Sequence, residues 1–197
     1  MKILLLFIAS IFLLSACQKE TGVLPAITPK SSSVVGTIKV NQDTVVKAPQ
    51  DTMPKGASFK IQLYKDAINN DDTMILFKQE SALGYDPNED GLYFQGNGQE
   101  NLGSFSGDGR ELAINTLPYT PGMSIGLFLT AKSDGAYSLK IDYQKNLPAT
   151  TQIWLKDAYL KDSVNVRAKN YQFNIIKADT SSYGTQRFKL VIRNIAQ

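Results

Sequence analysis

Residues 123–143 read MSIGLFLTAKSDGAYSLKIDY, and this stretch decides the fold. Residues 123–131 are mostly apolar, and in residues 137–143 apolar side chains alternate with polar ones. A period of two places apolar groups on one face of an extended chain, as a half-buried β-strand requires. Between the two segments lies Ser133-Asp134-Gly135, and an Asp-Gly pair permits the positive φ angles of a tight turn. The stretch therefore predicts two strands joined as a β-hairpin.

The same alternation recurs along most of the chain. It is clearest in residues 59–64, 171–175 and 188–192. Further strands are predicted at 34–40, 73–78, 91–95, 111–116, 152–156 and 164–168. No stretch shows an apolar stripe over three helical turns. We therefore expect an all-β domain over residues 34–197, an antiparallel two-sheet β-sandwich of jelly-roll or immunoglobulin-like type.

The amino-terminal segment, residues 1–16, has the pattern of a signal peptide. After a positively charged start, residues 3–14 are almost uninterruptedly apolar, and Ser15, Ala16 and Cys17 follow. About a dozen apolar residues are too few for a membrane-spanning helix, which needs roughly 20. The segment closely resembles the lipobox of bacterial lipoproteins. That resemblance implies a thioether-linked diacylglyceryl group on Cys17, cleavage before it, and acylation of the new amino terminus.

An ordinary secretory signal with a chance cysteine is the alternative, but Cys17 is the only cysteine in 197 residues. Residues 17–33, rich in Pro, Ser, Thr and Lys, predict a lipidated flexible tether. Gln18 after the cysteine favours sorting to the outer membrane. Lys19-Glu20 resembles the charged signal that directs some Bacteroidota lipoproteins to the cell surface. The membrane is thus the first predicted partner.

Composition restricts the chemistry that this chain can perform. The chain has no histidine, and its 21 basic and 18 acidic residues nearly balance. Without histidine, the commonest general base is missing and a serine nucleophile has no usual activator. The near balance of charge gives no indication of nucleic-acid binding. We expect a protein that is not an enzyme.

Glycoside hydrolysis needs two carboxyl groups at a set separation in a cleft. Glu80 with Asp86, or Asp157 with Asp162, would be candidate pairs. Because no spacing distinguishes either pair from the acids scattered over the turns, we interpret them as solvated loop charges.

Calcium is the one cofactor that the sequence suggests. Asp86, Asn88 and Asp90 followed by Gly91 have the D-x-N-x-D-G form of the first half of a calcium loop. A complete loop would have a bidentate Glu at position 97, where this chain has Asn97. The alternative is a polar connection in which Asp86 and Asp90 cap backbone amides.

Trp154 is the only tryptophan and the first candidate for ligand binding. Alternation directs Ile153 and Leu155 to the core, so the indole of Trp154 should face outward as a flat apolar platform for a sugar ring. Tyr143 and Tyr159 would join it if the strands pair suitably. A loop or edge segment covering the ring is the alternative.

An ordered set of motifs resembles a β-sandwich domain that recurs in large secreted and surface proteins of Bacteroidota, often beside type IX secretion sorting tails. The set covers roughly residues 57–193 and comprises residues 59–64, DTMILF (72–77), GYDPNEDG (84–91), LAINTLP (112–118), SIGL (124–127), GAYSL (135–139), NLP (146–148), WLKD (154–157), YQF (171–173) and RF (187–188). The resemblance implies surface display and adhesion or scaffolding. Unlike that family, this sequence predicts a lipobox, and we expect no sorting tail after the last strand.

Three functions follow as expectations. The first is a non-catalytic surface module that binds a glycan or a partner protein through loops and one sheet face. The second is a structural accessory subunit of an outer-membrane assembly, docked through an open sheet edge or an apolar patch. The third is a hydrolase, which the sequence does not favour because no spacing identifies a pair of catalytic carboxyl groups.

Overall fold

The computed structural model describes residues 53–96 and 98–195, all within one compact unit. Of these residues, 54% lie in strands, and the only helical element among them is a 3₁₀ turn at Thr180–Ser182. No helix in the described ranges has the length and hydropathy to cross a bilayer. The prediction of an all-β domain is confirmed. The predicted signal peptide, Cys17, the tether and the strand at 34–40 lie outside the described residues.

The described residues form eleven strands. In chain order these are β1 (Ser58–Tyr64), β2 (Asn70–Phe77), β3 (Gly91–Leu92), β4 (Glu100–Phe105), β5 (Glu111–Leu117), β6 (Ser124–Ala131), β7 (Gly135–Lys145), β8 (Thr151–Asp157), β9 (Asp162–Asn165), β10 (Tyr171–Ile175) and β11 (Gly184–Asn194). Each strand predicted within these ranges has a counterpart, and β4 is an additional strand.

All eleven strands belong to one sheet, which is nearly closed on itself. The strand order is β10-β7-β1-β2-β5-β4-β6-β11-β8-β9, and β3 pairs with β5 off this path. The expected division into two sheets is therefore not confirmed. The expectation of purely antiparallel pairing was wrong at one place, because Met74–Phe77 of β2 runs parallel to Ile114–Leu117 of β5. A long crossover through β3 and β4 separates these two strands, and parallel pairing requires such a connection.

The predicted hairpin at Ser133-Asp134-Gly135 was also wrong. The strand before it, β6, pairs with β4 and β11, whereas the strand after it, β7, pairs with β1 and β10. Gly135 does have a positive φ of 134°. The short link therefore carries the chain from one half of the sheet to the other, because both strands find better-matched partners far away in sequence.

The inner face of the curved sheet holds the core. Alternating side chains of each long strand are buried there, for example Phe59, Ile61 and Leu63 of β1. Burying one such side chain contributes roughly 1.5–3 kcal/mol. Phe173 of β10 packs edge-on against Phe188 of β11, with ring centroids 4.9 Å apart. These two strands are far apart in the sheet order, so this contact brings the two halves of the sheet together.

Candidate functional site

Trp154 lies on the outer surface of the sheet, as its position in the alternation predicts. Ile153 and Leu155 on either side of it are fully buried in the core. The Trp154 side chain is half-buried and points the other way. Its indole Nε1 donates a hydrogen bond of 2.8 Å to Oε1 of Gln152, two residues back on the same face. This bond fixes the orientation of the ring.

The strands beside β8 determine what surrounds the indole. Val191 of β11 lies directly opposite Trp154 on one side, and Asn165 of β9 lies opposite it on the other. Val191 is only 7% exposed although it points outward. We call this surface the Trp154 face and define it by the outward residues of four adjacent strands: Ser163 and Asn165 of β9, Gln152, Trp154 and Lys156 of β8, Lys189, Val191 and Arg193 of β11, and Ser124 and Gly126 of β6.

The Trp154 face carries cations. Lys156 and Lys189 are directly opposite each other in the β8–β11 ladder, and Arg193 lies on the far side of Val191. Next to the two lysines is a groove of about 480 Å³, whose lining also includes Lys161 and Asp162. Sequence reasoning missed this cluster. Alternation alone gives the outward face of each strand, but the pairing of β8 with β11 is needed to bring the cations together.

Tyr143 lies elsewhere on the outer surface. It is an exposed residue of β7 and is paired with Lys60 of β1. Its ring lines a small groove of about 230 Å³ together with residues 166–170. Because β7 and β8 are not paired, the strand register does not place Tyr143 beside Trp154.

Tyr159 follows β8 in the turn that leads to β9. Its hydroxyl donates to Oδ2 of Asp179 at 2.8 Å, and its ring lies 4.9 Å from the guanidinium carbon of Arg187. The hydrogen bond to Asp179 raises the pKa of Tyr159. Both ends of this side chain are thus engaged in holding loops together. The three aromatic candidates do not form one site.

The segment around Asp86 is a capped turn. Asp86 Oδ1 accepts from the backbone amide and the side-chain amide of Asn88, at 2.8 and 3.0 Å. The two oxygens of Asp90 accept from the backbone amides of Asp86 (2.8 Å) and Thr116 (2.7 Å). These contacts correspond to the amide-capping interpretation of the sequence. Among the residues that the structure covers, no three His, Cys, Asp or Glu side chains are grouped as metal ligands.

An ion pair that sequence reasoning missed is buried beneath the end of β8. Arg187 of β11 donates from Nη2 to Oδ2 of Asp157 at 2.8 Å, and Nε lies 3.1 Å from both carboxylate oxygens. Neither side chain is exposed at all. Burial alone would raise the pKa of Asp157, but the hydrogen bonds from Arg187 and from the Leu160 amide outweigh it and leave the pKa below its ordinary value.

The remaining donors of this cluster are also satisfied. Arg187 Nη1 donates to the carbonyl oxygens of Asn174, at 2.9 Å, and of Ser182. The hydroxyl of Tyr171 donates to Oδ2 of Asp157 at 3.0 Å. Asp157 is therefore committed to a structural network, which removes it from the candidate hydrolase pair with Asp162. Sequence reasoning had no signal for this pair, because its members are 30 residues apart.

Comparison of the chain with protein family models, with curated proteins and with solved structures finds no match. The Trp154 face must therefore be interpreted from its own chemistry.

Proposed function

We propose that this protein is a non-catalytic, lipid-anchored module of the cell surface that binds a glycan through the Trp154 face. One observation carries the proposal: a single, oriented, half-buried indole lies on the outer surface of the sheet. Sugar rings have apolar faces that stack on such a surface.

The surroundings of Trp154 support this function. The ring is held by Gln152 and stands next to the apolar Val191, so little side-chain freedom is lost when a ligand stacks on it. On the neighbouring strand, Ser163 adds a hydroxyl and Asn165 adds the NH₂ group of its amide, whose Oδ1 accepts from the backbone amides of Ile153 and Arg167. Such groups hydrogen-bond to the hydroxyls of a sugar and thereby orient it.

The proposal includes the attachment and origin inferred from the sequence. The Cys17 lipid holds the protein at the outer membrane, and residues 17–33 separate the domain from the bilayer. The domain is a relative of the Bacteroidota surface β-sandwiches, with the two halves of the sheet as its layers. Metabolic labelling with radioactive palmitate tests the anchor. The wild type should be labelled and Cys17→Ser should not, and equal labelling of both would contradict the anchor.

Affinity electrophoresis through gels containing neutral or acidic polysaccharides tests the binding function. Trp154→Ala should abolish the retardation that the wild type shows. Tyr143→Ala is the matched control, because it removes an exposed aromatic ring that the strand register does not place beside Trp154. Retardation that is unchanged by Trp154→Ala, or lost equally in both variants, would contradict the proposed site.

A partner protein is the second candidate, as expected for a structural accessory subunit of an outer-membrane assembly. Ile68, in the turn between β1 and β2, is 90% exposed, and Phe94 is 80% exposed. Exposed large apolar side chains on loops are common anchors at protein interfaces. If this function holds, Ile68→Ser with Phe94→Ser should prevent co-purification with envelope proteins after detergent extraction. Trp154→Ala should leave that co-purification unchanged.

A further inference from the structure

Two lysines stand directly opposite each other on the Trp154 face. Lys156 of β8 and Lys189 of β11 are register partners and point to the same side of the sheet. Directly opposed side chains of an antiparallel pair have Cβ atoms about 4.5–5.5 Å apart, and like charges at this position destabilise the sheet. In the ranges that the structure describes, neither lysine makes an ion pair or a side-chain hydrogen bond.

Several lysines outside the Trp154 face have partners. Lys60 of β1 forms an ion pair of 2.8 Å with Asp72 on the neighbouring strand, and Lys78 pairs with Glu89. Lys140 lies 4.4 Å from the ring centroid of Tyr64. Lys156 and Lys189 have no such partner in the described ranges and are directly opposed to each other.

The cations lie on both sides of the indole. Lys189 and Arg193 flank Val191 at two positions in either direction along β11, so their Cα atoms are separated by about 14 Å. The groove beside Lys156 and Lys189 adds Lys161. Its one exposed acid is Asp162, whose Oδ1 accepts from the amide of Ser163 at 2.7 Å. An extended chain that crosses Trp154 along the strand direction therefore meets positive charge before and after the ring.

From this arrangement we infer that the ligand of the Trp154 face is an acidic polysaccharide, a sugar chain bearing carboxylate or sulfate groups. The inference rests on the proposed function and adds the sign of the ligand's charge. The indole stacks on one sugar ring, and the acidic groups of adjoining rings neutralise Lys156, Lys189 and Arg193. Neutralising the opposed lysines relieves their repulsion, so part of the binding energy comes from strain that is present only in the free protein.

The test uses pairs of polymers that share a backbone and differ only in charge. The purified full chain, kept in a neutral detergent, is titrated with polygalacturonate and with its methyl ester, and with dextran sulfate and dextran. We expect the acidic member of at least one pair to bind at least about tenfold more tightly than its neutral counterpart. Raising the salt concentration from about 0.1 M to about 1 M shortens the Debye length from about 10 Å to about 3 Å and should weaken that binding.

Paired variants locate the effect. Lys156→Gln with Lys189→Gln should weaken binding of the acidic polymer at least about tenfold. The matched control is Lys132→Gln with Lys145→Gln, which removes the same charge from exposed positions outside the Trp154 face. The control should change the affinity by less than about twofold.

The outcomes separate this inference from the proposed function. Equal affinity for acidic and neutral polymers, abolished by Trp154→Ala, overturns the inference and leaves glycan binding intact. Failure to bind either acidic polymer also overturns the inference, and the proposed function then depends on neutral glycans alone. DNA or anionic phospholipid vesicles could also bind more tightly than either acidic polysaccharide and be weakened equally by Lys156→Gln with Lys189→Gln. That result overturns the inference as well, because the Trp154 face would then bind polyanions in general.

Discussion

The guanidinium of Arg187 and the carboxylate of Asp157 form an ion pair that is completely removed from solvent. The strands that carry them, β11 and β8, are neighbours in the curved sheet. Arg187 also donates to the carbonyl of Asn174, and Asp157 accepts from Tyr171. Both of these partners belong to β10, at the far end of the sheet order. The pair therefore connects β10, one end of the sheet, with β8 and β11 near the other end.

Removing the cation from this pair should strongly destabilise the fold. In Arg187→Met the apolar stem is kept, but Asp157 remains as an unpaired buried charge. Breaking a buried pair in this way costs about 3–5 kcal/mol. Urea unfolding followed by circular dichroism measures the loss. Lys189→Met, on the same strand but exposed, should change the free energy of unfolding by less than about 0.5 kcal/mol. Similar losses in both variants would show that the pair has no special role.

Alkaline pH should destabilise the domain, because two tyrosines must lose their hydroxyl protons. Burial, together with hydrogen bonds to Asp71 and Asp157, raises the pKa of Tyr93 and of Tyr171 well above the ordinary value of 10.0. The unfolded chain therefore loses these protons first, so the stability they contribute is complete below about pH 10 and is lost as the pH rises through the higher folded values.

Tyrosinate absorbance during a pH titration tests this expectation. Most of the nine tyrosines should ionise gradually, and the last fraction should appear together with the loss of the strand signal in circular dichroism. Tyr171→Phe should reduce this late fraction, while Tyr143→Phe, a change at an exposed ring, should not. Complete ionisation of all tyrosines in a protein that is still folded would contradict the assignment.

Gly103 should not tolerate a methyl group. A Cβ at this position of β4 would overlap the ring of Phe128 on β6 and come within 2.9 Å of the carbonyl oxygen of Leu112. Overpacking of this kind costs about 1–3 kcal/mol or more, so Gly103→Ala should lower the thermal unfolding midpoint by several degrees. Gly96→Ala is the control, because the nearest atom to its Cβ is 3.9 Å away. Adding Phe128→Leu should restore part of the loss; a Gly103→Ala protein as stable as the wild type would show that Phe128 moves freely.

Replacing Lys189 by Glu should separate stability from binding. The change converts the opposed pair with Lys156 into one of opposite charge, which should stabilise the free protein by about 0.5 kcal/mol at low salt. The same variant should lose affinity for acidic polysaccharides. Lys145→Glu provides the matched charge change outside the Trp154 face. A Lys189→Glu protein that is less stable than the control would indicate that the two ammonium groups do not repel each other in the free state.

The alternation in the sequence predicted most of the strands because each of those strands buries only one side. Strand β4 was missed for the opposite reason. Two of its three inward residues, Glu100 and Ser104, are polar, and only Leu102 between them is apolar. Its outward residue Gly103 is covered by Phe128. Glu100 Oε1 accepts from the hydroxyl of Tyr137 at 3.2 Å, a contact with a residue 37 positions away. A strand that is buried on both sides and carries polar residues on its inward face has no period of two to recognise.

The same limit applies to the candidate site. The direction of Trp154 follows from its two apolar neighbours in the sequence, and the structure confirms it. The cations could not be placed around the indole, because Lys189 and Arg193 belong to a strand more than 30 residues further along the chain. Likewise, an Asp-Gly pair such as that at residues 134 and 135 permits a turn but does not determine which strands pair. Strand pairing depends on packing throughout the core.

The sheet ends in its two smallest path strands, β9 with four residues and β10 with five. Short edge strands present few unsatisfied backbone groups to a neighbouring molecule. Hydrogen bonds of the Asp157 and Arg187 network also tie β10 to β8 and β11. Copies of the domain at high concentration should for this reason resist polymerising edge to edge, which leaves the Trp154 face of each copy accessible.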